Sequence, residues 1–112
     1  IIGTPNGKQL YVADIRAGKT YFYDIQPDGK LANKSLFTSM GSDGMTIDKN
    51  GNIYLTGKGV TVFNPEGEQI AHIPVKAGWT ANAGFAGKDM KTLFITASDN
   101  LYFIEMNVEG VK

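Results

Sequence analysis

The apolar positions of this chain fall into short runs separated by polar turns. Three runs set the pattern: Leu10-Tyr11-Val12-Ala13, Ile53-Tyr54-Leu55-Thr56 and Leu93-Phe94-Ile95-Thr96. Aliphatic, β-branched and aromatic residues of this kind suit a pleated, half-buried surface. Each run follows a polar turn: Pro5-Asn6-Gly7-Lys8, Asp48-Lys49-Asn50-Gly51 and Gly87-Lys88-Asp89-Met90. Such clusters supply the positive φ and the side-chain caps that a hairpin turn demands. A second strand comes next in each case, Thr20–Asp24, Val60–Asn64 and Leu101–Ile104, and then a further turn at Pro27-Asp28-Gly29, Pro65-Glu66-Gly67 and Glu109-Gly110. The first two units add an outer strand, Lys30–Phe37 and Glu68–Val75; the third stops before one. No window of helical length shows a helical period. Ala81–Met90 comes nearest, and its Gly84 and Gly87 argue against a helix. The chain reads as all-β.

The first residues of the three runs lie 43 and 40 positions apart. A repeat of this length carrying four short strands is the period of a β-propeller blade. The middle unit reads as a complete blade of four antiparallel strands, Met45–Ile47, Ile53–Thr56, Val60–Asn64 and Glu68–Ile73. The blade units fall at roughly 1–40, 41–78 and 79–112. The first lacks most of its innermost strand and the third its outermost. A β-sandwich or small barrel also spaces short strands regularly, but neither predicts repeated sequence at this period. Propellers close with about four to eight blades. An open arc of three would expose two apolar blade faces. The expectation is therefore a partial propeller, completed by the missing blades or by a second copy; two such arcs make about six blades.

Composition narrows the partners. The chain has 112 residues, one domain at most, and its 11 basic and 11 acidic residues give a formal net charge of zero. No basic face is on offer for nucleic acid and no polybasic patch for a membrane. No apolar run approaches the roughly 18 residues of a spanning helix. The absence of cysteine excludes disulfides, cysteine–metal sites and thiol catalysis, and fits cytoplasm and periplasm alike. Glycine is in excess at 14 residues while proline is only 4, which points to tight turns rather than a linker. The chain enters at Ile1-Ile2-Gly3, in what reads as the middle of a strand, so it is treated as a possible fragment.

One segment departs from repeat filler: Gly41-Ser42-Asp43-Gly44-Met45-Thr46-Ile47-Asp48. Asp43 precedes the innermost strand of its blade, and innermost strands line the central channel. A carboxylate there either caps the strand turn or faces the channel mouth, where it can bind a hard cation or act as a general base. Gly44 behind it permits close approach of the backbone. Asn82 is the counterpart of Asp43 in the next unit, 39 positions on. It either contacts a sugar hydroxyl or bonds its own backbone at the turn. Ser42 and Thr80 read as exposed loop residues of the same rim. His72, the only histidine, reads as a surface residue of an outermost strand. Asp14, Asp24, Asp48 and Asp99 end strands and read as caps of backbone groups. Trp79 reads as packing between blades, with stacking on a sugar face the alternative. Tyr11, Tyr54 and Phe94 recur with the repeat and read as blade-to-blade core.

The ordered segments Gly7–Asp14, Tyr23-Asp24 with Asp28–Leu31, Ser42–Asp48 with Gly51–Tyr54, and Asn82–Gly87 with Leu93–Thr96 resemble the SMP-30/gluconolactonase/LRE-like family of six-bladed propellers. The resemblance spans essentially the whole chain. It implies hydrolysis of sugar lactones with a divalent metal ion at the top of the channel, Ca2+ first, with Zn2+, Mn2+ or Mg2+ as alternatives. In that family a Glu, an Asn and an Asp from different blades hold the ion, and the Asp carries over onto Asp43. The ion would polarise the lactone carbonyl while a carboxylate beside it assists attack by water, so Asp43 is expected to be both metal ligand and catalytic group. The resemblance places the Glu and Asn ligands upstream of Ile1. Asn82 is the expected substrate contact. The competing reading is a non-catalytic propeller module that binds a sugar, a peptide or a partner protein on the same face.

Overall fold

A computed structural model describes residues 1–111, so the last residue of the third expected unit lies outside it. Eleven strands and no helix occur among the described residues. They are β1 (Ile2–Gly3), β2 (Gln9–Asp14), β3 (Lys19–Ile25), β4 (Leu31–Thr38), β5 (Met45–Ile47), β6 (Ile53–Gly57), β7 (Gly59–Phe63), β8 (Gln69–Ile73), β9 (Asn82–Ala86), β10 (Thr92–Ala97) and β11 (Asn100–Glu105). The segment that came nearest to a helix in sequence is β9. Three antiparallel sheets result, in the order β1-β2-β3-β4, β5-β6-β7-β8 and β9-β10-β11. Every strand pairs with its sequence neighbour, so each sheet is a meander built from local hairpins.

The turns explain why the meander repeats. In the middle sheet Asn64 Oδ1 accepts the amides of Glu66 (3.1 Å) and Glu68 (2.9 Å), and the Gly67 amide donates to Asn64 O at 2.9 Å. Gly67 sits at φ 85°, a conformation that only glycine adopts without strain. The turn before β4 repeats the backbone part, with the Gly29 amide donating to Gln26 O at 2.8 Å, while Asp28 Oδ1 accepts the Lys30 amide at 3.0 Å.

The sheets stack face to face. Between the first two lie Tyr11, Met45, Ile47, Ile53, Leu55 and Phe63, with Phe22 and Phe37 packed alongside. The Tyr11 ring meets Phe22 at 4.7 Å and Phe37 edge-on at 4.8 Å. Between the second and third lie Tyr54, Val60, Val62, Ala83, Leu93 and Ile95, with Phe85 edge-on to Tyr54 at 5.3 Å. Every residue of β5, β6 and β7 is buried, because that sheet is covered on both faces.

The outer sheets are covered on one face only. Directly paired residues share a face of a sheet. The pairs Leu10–Tyr23 and Val12–Tyr21, with Leu36 opposite Tyr21, therefore line the open face of the first sheet. The pairs Phe94–Phe103 and Thr96–Leu101 line the open face of the third. Phe103 and Leu101 are 68% and 63% exposed. The recurrent aromatics follow the same alternation. Tyr11 and Tyr54 are buried between sheets, and Phe94 occupies the equivalent place in the third sheet, half-buried on the face that no other described sheet covers.

Candidate functional site

The expected rim residues meet at one end of the stack. β5 and β9 start there, and β2, β6 and β10 end there, as the antiparallel pairing requires. Gly41 is pressed against the backbone of the Asp14–Ile15 turn, where a Cβ would come 2.8 Å from the Asp14 carbonyl oxygen. Gly44 is pressed against the start of the third sheet. A Cβ there would run into the Asn82 amide oxygen and stand 2.8 Å from the Ala81 carbonyl oxygen. Glycine at position 44 is thus what lets the residue after Asp43 touch Asn82. The sequence placed both at the channel mouth, and the structure brings their neighbourhoods into contact.

The turn carrying Asp43 is closed by hydroxyls, not by Asp43. Ser42 Oγ donates to the Gly44 carbonyl oxygen and accepts the Thr56 amide at 2.8 Å. The Gly44 amide donates to Thr56 Oγ1 at 3.1 Å. Asp43 itself is exposed, and its carboxylate takes no part in these bonds among the described residues. A capping role for Asp43 therefore has no support in the geometry. Asn82 is also exposed; its Oδ1 accepts the amide of Ala83 at 2.9 Å, the local bond weighed for it, while its amide group remains available as a donor.

Ser42 and Thr80 overturn their reading as exposed loop residues. They are 5% and 0% exposed. Thr80 clamps the tight hairpin at the top of the middle sheet: its Oγ1 accepts the Gly57 amide at 2.8 Å and donates to Gly59 O at 2.5 Å. Sequence reasoning missed this layer because its partners include backbone groups 14 to 23 positions away. Trp79 stands beside it, half-exposed, with its ring over Gly57 next to Met40.

The other aspartates divide. Asp14 caps a backbone group as expected, accepting the Ala17 amide at 3.0 Å. Asp24 and Asp99 do not; they accept side-chain amides. Asp24 takes bonds from Asn33 (2.8 Å) and Gln9 (3.2 Å), which hold its carboxyl below the ordinary range, Asn33 contributing most. Asp48 is wholly buried at the opposite end of β5. It accepts the amides of Asn50 (2.9 Å) and Asn52 (3.0 Å), the Asn52 side chain (2.9 Å) and the Tyr54 hydroxyl (2.9 Å). Burial, then this bond and the negative charge of Asp48, push the Tyr54 phenol well above its ordinary value. His72 is exposed on β8 beside Thr61, as expected, on the strand of its sheet furthest from β5.

Among the described residues no three His, Cys, Asp or Glu side chains converge to hold a metal ion. The hard-oxygen donors at the rim are the Asp43 carboxylate and the Asn82 carboxamide, which suit a divalent ion of the calcium or magnesium type but fill only part of a coordination shell. A hollow of about 680 Å³ is lined by Asn6–Gln9 and Asp24–Pro27 at the opposite end of the first sheet. A shallower one of about 160 Å³, lined by Asn82, Ala83, Gly84, Phe94 and Thr96, opens beside Asn82.

Two four-stranded meanders and a third with three described strands, stacked face to face, define part of a β-propeller, with Asp43 just before the edge strand β5 of the middle sheet. Residues 2–99 match the family described as the SMP-30/gluconolactonase/LRE-like region, and the chain belongs to that family. It is similar to a gluconolactonase of Zymomonas mobilis, 26% identical over 96% of this chain and 34% of the relative. A solved gluconolactonase structure from Xanthomonas campestris superposes with a TM-score of 0.83 and 28% identity, over 92% of this chain and 35% of that one. A calcium-binding regucalcin structure from Agrobacterium tumefaciens shares the fold, with a TM-score of 0.79 at 22% identity over 97% of this chain and 45% of that one. The chain spans about a third of the length of these gluconolactonases.

Proposed function

We propose that this chain supplies part of a metal-dependent sugar-lactone hydrolase, with Asp43 as its ion ligand and catalytic carboxylate and Asn82 as a substrate contact. The observation that carries the reading is the free, exposed Asp43 carboxylate on a turn that other side chains hold closed. A carboxylate that the fold does not use is available for chemistry. Family membership and the gluconolactonase relatives support the lactone as substrate. A bound divalent ion, Ca2+ first among the candidates, would supply polarisation of the lactone carbonyl. Asp43 would hold the ion and orient water, and the Asn82 amide group would donate to a sugar hydroxyl.

The remaining ion ligands belong to blades outside the described sheets. The open apolar faces of the first and third sheets support that completion, by flanking blades or by a second copy packed head to tail. The test is lactone hydrolysis by the ring-complete protein with chelator and with added Ca2+, Zn2+, Mn2+ or Mg2+. Turnover that needs the ion and is lost in Asp43→Ala supports the assignment. Ligand binding without turnover or ion dependence would assign the rim to a non-catalytic module instead.

A further inference from the structure

We propose that Thr56 is the positioning residue of this rim: its single hydroxyl couples the turn that carries Asp43 to the strand that carries Asn82. The proposal rests on the reading of Asp43 as an ion ligand. It follows from proton accounting in a buried cluster. Ser42 and Thr56 are 5% and 1% exposed, so each hydroxyl must find its partners within the protein. A hydroxyl has one proton to give and two lone pairs to accept with.

Ser42 Oγ accepts the Thr56 amide, and its proton lies on its nearest acceptor, the Gly44 carbonyl oxygen. Thr56 Oγ1 accepts the Gly44 amide at 3.1 Å. The Thr56 proton has the Gly44 oxygen at 3.0 Å, Ser42 Oγ at 3.2 Å and the Ala81 oxygen at 3.3 Å within reach, and Ser42 Oγ already accepts the Thr56 amide. With Ser42 already donating to Gly44, the proton placed toward Ala81 gives each carbonyl a donor and leaves no group orphaned.

The result is a directed link: Gly44 amide to Thr56 hydroxyl to Ala81 carbonyl. Ala81 is fixed in turn by its own amide on Thr96 O at 2.8 Å, which sets the register in which Asn82 faces Thr96. Thr80 clamps the same segment, but its bonds run to Gly57 and Gly59 and not to the Asp43 turn. The Gly44–Asn82 contact is steric and keeps the two elements from coming closer; the Thr56 hydroxyl keeps them from parting.

The test uses Thr56→Val, which keeps the shape and removes the hydroxyl, and Thr56→Ser, which restores it. Amide exchange and Ca2+ titration are read on the ring-complete protein. The expected result is about tenfold faster exchange at the Gly44 amide and a Ca2+ midpoint raised about tenfold. Exchange in the first sheet stays unchanged, and both effects return toward the parent in Thr56→Ser. If the valine chain does not fold, Thr56→Ala carries the same expectation. An unchanged Ca2+ midpoint, faster exchange spread over all three sheets, or no rescue by serine overturns the proposal. Asp43→Asn titrated alongside separates the two ideas. If it keeps the parent midpoint, the ion reading itself fails. If it loses Ca2+ while Thr56→Val does not, only the positioning role fails.

Discussion

Asp43 and Asp48 flank the same three-residue strand and differ in every physical respect. Asp48 is wholly buried and accepts four hydrogen bonds; Asp43 is exposed, and the turn beneath it is closed without it. A buried carboxylate with all its lone pairs engaged is committed to the fold, because leaving its donors unpaired is expensive. An exposed one on a turn fixed by Ser42 and Thr56 costs the fold little and is free for a ligand. One end of β5 therefore serves stability, and the other, in our proposal, serves chemistry.

Removing Asp48 should break the comparison most severely. Asp48→Ala strands two backbone amides, a side-chain amide and a buried phenol, and is expected to cost about 3 kcal/mol or more in chemical denaturation. Next comes Tyr54→Phe, which removes one bond to that carboxylate and is expected to cost about 2 kcal/mol. The same pair sets a pH dependence. Tyr54 holds its proton more tightly in the folded state, so its contribution is complete below the ordinary tyrosine value of 10.0. It is lost as pH rises above that value. Stability measured against pH should fall on the alkaline side, and less steeply in Tyr54→Phe. Gly44→Ala tests the other end. Its methyl meets the Asn82 amide and the Ala81 carbonyl, and displacing them should cost about 1 to 2 kcal/mol, with the shift confined to the rim.

Much of the fold was legible in residue order. Leu10, Ile53 and Leu93 mark the repeat, the turns recur with it, and the third unit's missing strand shows as a sheet of three. Asp43 stood out because a Ser-Asp-Gly-Met segment before an innermost strand is not needed to make a blade. The hydroxyl layer beneath it was not legible. Ser42 and Thr80 are polar and lie in loops, so they read as exposed; the backbone groups that bury them come from β6 and from the β6–β7 hairpin. Phe94 is a different case. The repeat equates positions, but burial depends on having a neighbour, and among the described residues no sheet lies on that side of the third. The depth of Asp48 was hidden likewise, since its turn position is ordinary and only Tyr54, six residues on, carries the fourth bond.

The most direct test of the division of labour is lactone turnover by Asp43→Asn in the ring-complete protein, read with the ion-free unfolding midpoint of the same sample. An unchanged midpoint, within about 0.5 kcal/mol of the parent's stability, with turnover lowered on the order of a hundredfold or more is the expected result. Turnover at the parent's rate would contradict it, because the exposed aspartate would then do no chemistry at all.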